Sequence, residues 1–407
     1  ETELFPCLVD MRFLGVRVDV KGAHKLKQQL ITEEKACLQR VKKETQVDVQ
    51  IWAARSIEQV FQKLSLPYDR TEKTNSPSFT KNFLQNHPHP LVKQIAQARE
   101  INKAHTTFID TIIKHSHKGR IHAEINQLRS DQGGTVTGRF SYNNPNLQQI
   151  PARNKDLGPK IRSLFIPEGN KKWGCFDYSQ QEPRLVVHYA LKNGFEGAEV
   201  MAEAYKKDPK TDFHKIVAEM AKITRKQAKT INLGLFYGMG KGKLAKSLEL
   251  DKEEAEELFD QYHTKVPFVR KLSKGLQEFA EENKNIFTLE DRFCRFDRWE
   301  PINKEWNKEK GVFEISEYKE VEGKMQIVKS PVPILKTVEA QNRYHADLAK
   351  NSQKSDPNCN NFEQHYRPAF TYKALNRLIQ GSAADMTKKA MVELYELGIV
   401  PHIQIHD

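Results

Sequence analysis

The run Trp173–Tyr178 is aromatic and apolar and contains one carboxylate, Asp177, near its C-terminal end. Such a run is typical of a buried strand. The following residues, Ser179–Pro183, have a capping-box pattern with proline in the first turn, and they predict a helix directly after the strand. A carboxylate at a strand end can hold Mg²⁺, which typically takes one or two protein carboxylates. The alternative is a turn residue at Asp177 and a simple helix cap at Glu182.

A second carboxylate, Asp407, follows an alternating segment at the end of the sequence. In residues 399–406 isoleucine alternates with histidine and glutamine, which is typical of a half-buried strand. Asp177 and Asp407 are 230 positions apart. They converge on a common site only if both strands belong to one sheet.

Two cations and two apolar side chains recur at four-residue spacing in the next motif: Arg225, Lys229, Leu233 and Tyr237. At about 100° per residue, the four lie on one helix face about 120° wide. Thr224 and Gln227 predict a cap at one end, and Gly238, Gly240 and Gly242 predict the end of the helix at the other. Two cations near a helix N-terminus suit a triphosphate, and the apolar half suits a flat base. The alternative is an amphipathic helix with a solvated basic end.

The first ~115 residues predict helices, because apolar side chains recur there at helical spacing. Ser56–Gln59 has the form of a capping box and Pro67 ends that helical run. From about Gly119 short β-type runs follow, and then a long helical stretch from Glu196 to Asn283.

Residues 300–367 differ in composition, since Lys, Glu and Asn dominate and large apolar residues are few. We interpret this segment as a solvated insertion, loosest at residues 351–361.

The composition excludes several classes of protein. Lys plus Arg number 65 against 53 Asp plus Glu, a net charge of +12 that favours a polyanionic partner. No apolar stretch approaches the ~18 to 20 residues that a membrane span requires, and the first residues do not form a signal peptide. The five cysteines are scattered without a Cys-x-x-Cys pair, which fits a reducing cytoplasm rather than a disulfide framework or a zinc ribbon.

Taken together, the motifs resemble motifs A, B and C of family A DNA polymerases, the group of bacterial DNA polymerase I and phage replicative enzymes. Motif A is Asp-Tyr-Ser-Gln-x-Glu-x-Arg at 177–184, motif B places Arg, Lys and Tyr-Gly within 225–238, and the closing His-Asp is motif C. Residues 137–151 resemble the segment that precedes motif A, and 380–385 the helix before motif C. Five motifs in family order make a chance match remote.

The resemblance implies an α+β fold, the right-hand polymerase fold. It assigns residues 1–118 to a helical thumb, 119–188 and 369–407 to a palm with an antiparallel sheet, and 189–368 to mostly helical fingers. The charged insertion at about 300–367 then belongs to the fingers.

The resemblance also implies roles for the motif residues. Asp177 and Asp407 would hold two Mg²⁺ ions for in-line transfer of a nucleotide to the primer 3′-hydroxyl. Lys229 would be catalytic as well, by protonating the departing pyrophosphate. The residues expected to bind the nucleotide are Arg225, Lys229, Leu233, Tyr237, His214, Glu182 and Gln180. The residues expected to contact DNA are Arg139, Arg162, Asn376, Gln380 and His406.

Glu182 and Tyr237 would form a gate that crowds a ribose 2′-hydroxyl, so the resemblance implies a preference for deoxynucleotides. Single-subunit phage RNA polymerases share related carboxylates and a basic helix but lack this glutamate. Two departures from the family pattern are Leu233, where most relatives have Phe or Tyr, and Pro183. We expect Leu233→Phe to speed incorporation.

The implied function is template-directed addition of dNMP to a primer, with pyrophosphate release, in DNA replication or repair. The expected partners are primer-template DNA and dNTPs, with no membrane, and we expect a monomer in the cytoplasm of a bacterial or phage-infected cell. No exonuclease-type Asp-x-Glu strand precedes the thumb, so no proofreading is expected from this sequence. It stops at Asp407, where the family continues, so we expect part of a longer protein that polymerises poorly by itself. The alternatives are a phage-type RNA polymerase and a catalytically inactive DNA-binding fragment.

Overall fold

The computed structural model describes the chain except for residues 72–73, 131–132, 153, 237–240, 249, 308–309, 322–323, 351–361 and 406–407. The described chain divides into two compact units. Unit 1 comprises the described residues of 1–134, 140–176 and 390–405. Unit 2 comprises residues 135–139 and 177–389.

Unit 1 is built mainly from helices, with short antiparallel strands between them. Its helices are α1 (Leu4–Leu14), α2 (Val20–Thr45), α3 (Ala54–Lys63), α4 (Lys81–Asn86), α5 (Pro90–Lys103), α6 (Asp110–His115) and α7 (Leu157–Arg162), with a π-helical turn at Ala104–Ile109 and a 3₁₀ turn at Leu147–Gln149. Its strands are β1 (Val16–Arg17), β2 (Asp69–Arg70), β3 (Pro77–Ser78), β4 (Ser116–His117), β5 (Arg120–Ile121), β6 (Glu124–Asn126) and β7 (Ser141–Asn143). They pair as β1-β5-β4, β2-β3 and β6-β7, all antiparallel.

Unit 2 contains the long helical stretch and the remaining strands. Its helices are α8 (Gln181–Lys192), α9 (Ala198–Lys207), α10 (Phe213–Ala221), α11 (Arg225–Phe236), α12 (Lys241–Leu248), α13 (Lys252–Lys265), α14 (Pro267–Asn283), α15 (Thr337–Lys350) and α16 (Phe362–His365), with a 3₁₀ turn at Thr371–Lys373; α17 (Ala374–Glu396) continues into the residues of unit 1. Its strands are β8 (Asn285–Phe287), β9 (Phe293–Arg295), β10 (Arg298–Pro301), β11 (Glu305–Asn307), β12 (Val312–Val321), β13 (Lys324–Pro331), β14 (Leu335–Lys336) and β15 (Tyr366–Pro368). They pair antiparallel as β8-β9, β14-β10-β15 and β11-β12-β13.

The helices predicted in the first 115 residues are confirmed, but one predicted cap is wrong. Helix α3 begins at Ala54, two residues before Ser56, and no side chain caps it. The Ser56 hydroxyl instead accepts a hydrogen bond from the Gln50 amide at 2.9 Å. A serine that is engaged by the preceding loop cannot serve as the N-cap of its own helix.

The predicted strand at Trp173–Tyr178 is also wrong. Residues 171–178 have no regular secondary structure and are exposed, with Phe176 at 76%. The described part of the C-terminal segment, residues 399–405, is likewise not a strand: Ile399 and Ile405 are exposed, whereas Gln404 is buried. A strand forms only where a neighbouring strand pairs with its backbone groups, and neither segment has such a neighbour among the described residues.

The charged insertion has more regular structure than its composition indicates. Strands β11, β12 and β13 form an antiparallel sheet, and β10, β14, β15, α15 and α16 share a small core of Trp299, Tyr344, Phe362 and Tyr366. The segment predicted to be loosest, residues 351–361, lies outside the described residues.

No described helix is both long enough and apolar enough to cross a lipid bilayer.

Candidate functional site

The junction before α8 holds the first candidate residues. Asp177 lies in the exposed extended segment, and Gln180 stands immediately before the helix in the left-handed conformation (φ 54°). The Gln180 side chain donates to the Thr211 carbonyl at 2.6 Å and accepts from the Phe213 amide at 2.9 Å. Gln180 therefore connects the start of α8 to the start of α10. The capping box predicted at Ser179–Glu182 is wrong, because no side chain caps α8.

Glu182 forms an ion pair with Arg139. Both side chains are largely buried, at 12% and 19% exposure. Arg139 ends a tight turn in which the Thr135 hydroxyl donates to the Arg139 carbonyl at 2.8 Å. Hydrogen bonds between ionised partners are the strong ones. The pair fixes the Glu182 carboxylate five residues after Asp177, so Glu182 does more than cap a helix.

Arg292 joins this turn to α17. Its guanidinium donates to the Thr137 carbonyl at 2.9 Å, to the Gly381 carbonyl at 3.0 Å and to the buried Asp385 carboxylate at 2.9 Å. Arg292 was not predicted from the sequence, because its partners lie about 90 and 155 positions away and no local pattern marks it.

Helix α17 carries two of the expected DNA contacts one turn apart. Asn376 and Gln380 are half-buried, and neither side chain has a hydrogen-bond partner among the described residues. Arg162 lies in unit 1 at the end of α7, where its exposed side chain donates to the Pro151 carbonyl at 3.3 Å.

Helix α11 begins where the sequence predicted, with the predicted cap. Thr224 and Gln227 exchange hydrogen bonds at its start: the Thr224 amide donates to Gln227 Oε1 at 2.9 Å, and the Gln227 amide to the Thr224 hydroxyl at 3.2 Å. Arg225 and Lys229 are exposed, and Leu233 is half-buried on the same face. The buried residues of α11 lie on its other faces and are Ala228, Ile231, Asn232, Gly234 and Phe236. The prediction that Gly242 ends the helix is wrong, since Gly242 lies inside α12; Gly238 and Gly240 lie outside the described residues.

Asp212 caps α10 and also holds Arg225. Its carboxylate accepts from the Lys215 amide at 3.2 Å and from Arg225 Nε at 2.8 Å. Desolvation raises the pKa of Asp212, but these hydrogen bonds and the Arg225 charge outweigh it, so the pKa lies below its ordinary value. Asp212 is therefore ionised at neutral pH and positions Arg225 at the start of α11.

His214 is buried in the first turn of α10. Its Nδ1 lies 3.0 Å from the Asn232 side-chain amide. Burial lowers the pKa of His214; Asp212 raises it, and Lys229 and Arg225 lower it again, with a net decrease. A histidine whose pKa lies below 6.5 is mostly neutral at pH 7.

A match to a protein-family model identifies the family of this chain. The model for DNA polymerase family A matches residues 20–407. The chain belongs to this family.

Known family A relatives match most or all of the chain. A DNA-directed DNA polymerase of Pseudomonas phage M6 is 30% identical over 100% of this chain and 59% of the relative. DNA polymerase DpoZ of Acinetobacter phage SH-Ab 15497 is 29% identical over 73% of this chain and 54% of the relative. The chain thus spans about half the length of the curated relatives it matches.

A solved structure shows the fold. The POL domain of Pol1 from M. smegmatis, in complex with DNA primer-template and dNTP, superposes with a TM-score of 0.67 at 22% identity, covering 100% of this chain and 62% of that chain. The α+β polymerase fold predicted from the family A motifs is confirmed.

The structure brings several of the expected family A residues into unit 2: Asp177, Gln180, Glu182, Arg139, His214, Arg225, Lys229, Leu233, Asn376 and Gln380. Tyr237, His406 and Asp407 lie outside the described residues, so their placement stays a prediction. Asn232, which contacts His214, and Tyr262, which contacts Asn232, were also not predicted from the sequence. A signal was present for Asn232, because it is the one polar residue in the row Ala228, Asn232 and Phe236.

The described residues contain no cluster of three or more His, Cys, Asp or Glu side chains that could hold a metal ion. Asp177 does offer an exposed carboxylate. Hard oxygen donors of this kind fit Mg²⁺, which keeps several water ligands and needs only one or two protein carboxylates.

Proposed function

We propose that this protein adds deoxynucleoside monophosphates to a primer 3′ end under the direction of a template and releases pyrophosphate. The observation that carries the proposal is the exposed cationic face of α11, Arg225 and Lys229, beside buried His214, in a chain that belongs to DNA polymerase family A. Its partners are primer-template DNA and dNTPs. It acts as a monomer in the cytoplasm of a bacterial or phage-infected cell, in replication or repair.

Three side chains bind the incoming triphosphate. Arg225 and Lys229 supply two positive charges a helical turn apart, near the helix N-terminus, where the helix dipole adds to their field. His214 contributes a neutral hydrogen-bond donor. Lys229, the exposed cation further along the helix, donates a proton to the departing pyrophosphate.

Asp177 and Asp407 are the residues that hold divalent metal ions in this proposal. Two Mg²⁺ ions, when bound there, supply Lewis-acid activation of the 3′-hydroxyl and neutralise charge in the transition state. Asp407 lies outside the described residues, so the pairing of the two carboxylates rests on the family resemblance.

Glu182 makes the site selective for deoxynucleotides. Its carboxylate is held by Arg139 and is only 12% exposed, so it cannot easily move aside for a ribose 2′-hydroxyl. This gate separates the proposal from the alternative of a phage-type RNA polymerase.

A primer-extension assay that compares dNTPs with rNTPs tests the proposal. We expect incorporation of dNTPs to exceed that of rNTPs by at least 100-fold in kcat/KM, about 2.7 kcal/mol. Glu182→Ala should reduce this ratio at least tenfold by admitting rNTPs, whereas Glu203→Ala, which removes an exposed glutamate paired with Lys206 on α9, should not. A wild-type preference for rNTPs would contradict the proposal.

A further inference from the structure

The hydrogen bond between Asn232 and His214 defines which ring nitrogen carries the proton. The Asn232 Nδ2 atom lies 3.0 Å from His214 Nδ1. A side-chain NH₂ group can only donate, so Nδ1 must accept. The hydrogen of the neutral imidazole is then on Nε2.

Tyr262 fixes the orientation of the Asn232 amide. Its hydroxyl donates to Asn232 Oδ1 at 2.5 Å. Burial strongly raises the pKa of Tyr262, so the hydroxyl keeps its proton and remains a donor. With the carbonyl end of the amide engaged by Tyr262, the NH₂ end faces His214.

The three polar groups lie in an otherwise apolar core. Asn232 and Tyr262 are fully buried, and His214 is 8% exposed. The core around them is formed by Phe213, Val217, Ala228, Ile231, Phe236 and Phe259. Burying an amide and a phenol costs free energy that an apolar set would not. The two hydrogen bonds offset part of that cost. We therefore infer that Asn232 and Tyr262 orient the His214 ring rather than simply fill space.

On the opposite side of the His214 ring, Nε2 has no hydrogen-bond partner among the described residues and can donate to a ligand. The charges of Asp212, Lys229 and Arg225 all act on the ring. The donor is thus placed among the groups that bind the triphosphate in the proposed function.

We propose that Asn232 and Tyr262 are positioning residues that hold His214 as the Nε2–H tautomer, so that a neutral donor is presented to the triphosphate of the incoming nucleotide. Without the hydrogen bonds from Tyr262 to Asn232 and from Asn232 to His214, the ring can adopt the Nδ1–H tautomer. Nε2 then presents a lone pair, which repels a phosphate oxygen. The inference rests on the proposed function for its ligand, but the tautomer is a property of the chain alone.

The tautomer is measured directly by ¹⁵N–¹H correlation spectra of the histidine rings at pH 8, without nucleotide. The His214 signals are assigned by their absence from His214→Gln. We expect the Nε2–H pattern in the wild type and the Nδ1–H pattern in Asn232→Asp, because a carboxylate accepts where the amide donated. A wild type with the Nδ1–H pattern overturns the inference, whatever its polymerase activity.

The consequence for nucleotide binding is measured as the KM for dNTP in single-nucleotide primer extension. For Asn232→Asp at pH 8 we expect KM to rise about tenfold, the equivalent of one hydrogen bond, with kcat changed less than threefold. The carboxylate introduced by Asn232→Asp favours protonation of His214 as the pH is lowered. Protonation restores an Nε2 donor, so KM should approach the wild-type value at lower pH. The charged groups that act on the ring, Asp212, Arg225 and Lys229, are present in both proteins, and so is Tyr262. The difference in KM therefore reports the hydrogen bond between residue 232 and His214.

Tyr262→Phe gives a second test that does not add a charge. Loss of the hydroxyl frees the amide to rotate, so we expect mixed tautomers and a KM raised about threefold. Tyr205→Phe is the matched control, because Tyr205 is also a buried tyrosine of unit 2 but its hydroxyl has no partner among the described residues. Equal KM values for the two Phe variants, or a changed tautomer with unchanged KM, would refute the role in binding. An inactive wild type with the Nε2–H pattern would instead count against the proposed function and leave the tautomer assignment intact.

Discussion

Single side chains in this protein are held by partners that the linear sequence does not display. Arg225 was predicted from spacing alone as a phosphate ligand, and the structure shows it paired with Asp212 at 2.7 Å. Glu182 was predicted from the family motif, and the structure shows it paired with Arg139. In both cases the sequence identified the residue type and its helix, whereas the partner comes from a different segment.

The Asp212–Arg225 pair predicts a pH dependence of stability. The folded-state pKa of Asp212 lies below its ordinary value of 3.8. The stabilisation is therefore complete above the unfolded-state pKa and is lost as the pH falls through the lower folded-state pKa. Asp212→Asn keeps the cap, because asparagine is an equally good N-cap, but loses the charge.

We expect Asp212→Asn to lower the free energy of unfolding by about 0.5 kcal/mol at pH 7, since the pair is partly exposed. The difference from wild type should disappear below the folded-state pKa of Asp212. Urea unfolding of both proteins between pH 2.5 and 7 measures it. A difference in the free energy of unfolding that does not change with pH would show that the Asp212 charge does not contribute to stability.

Helices and strands were predicted with unequal success, for a physical reason. Helix α11 was recognised because its periodicity and its Thr224–Gln227 cap are encoded within a few residues. The strand expected at Trp173–Tyr178 did not form, since a strand depends on a neighbour that no local pattern supplies. The capping box predicted at Ser56 is wrong for a similar reason, because the Gln50 amide of the preceding loop donates a hydrogen bond to the Ser56 hydroxyl.

The connection between the Arg139 turn and α17 predicts a large effect of one substitution. Arg292→Ala leaves the Asp385 carboxylate, 5% exposed, without its cation and removes the donor to two carbonyls. We expect a loss of about 3 to 5 kcal/mol in the free energy of unfolding. Chemical denaturation measures this loss of stability, provided that the wild type and the variant have the same m-value.

Arg270→Ala on the exposed face of α14 is the control for Arg292→Ala and should change stability by less than about 0.5 kcal/mol. Asp385→Asn in the Arg292→Ala background should recover part of the loss, because the uncompensated charge is removed. An Arg292→Ala protein as stable as the control would mean that Arg292 does not hold the turn to α17.

The chain as a whole carries a net charge of +12, and this predicts how its affinity for DNA depends on salt. Each phosphate neutralised by Lys or Arg releases counterions, so the logarithm of the association constant should fall with the logarithm of salt concentration, with a slope of about −0.9 for each neutralised phosphate. Fluorescence anisotropy with a labelled primer-template between 50 and 300 mM KCl measures the slope. A slope near zero would exclude an electrostatic DNA interface.

The role of Asp177 in nucleotide addition is tested most directly by single-turnover primer extension with the wild type and Asp177→Asn, with primer-template affinity measured in parallel. We expect the wild type to add the dNMP complementary to the template base. We expect Asp177→Asn to lose at least 1000-fold in rate, about 4 kcal/mol of transition-state stabilisation, with DNA affinity changed less than threefold. Equal extension rates for the two proteins would contradict the assignment of Asp177 to the reaction.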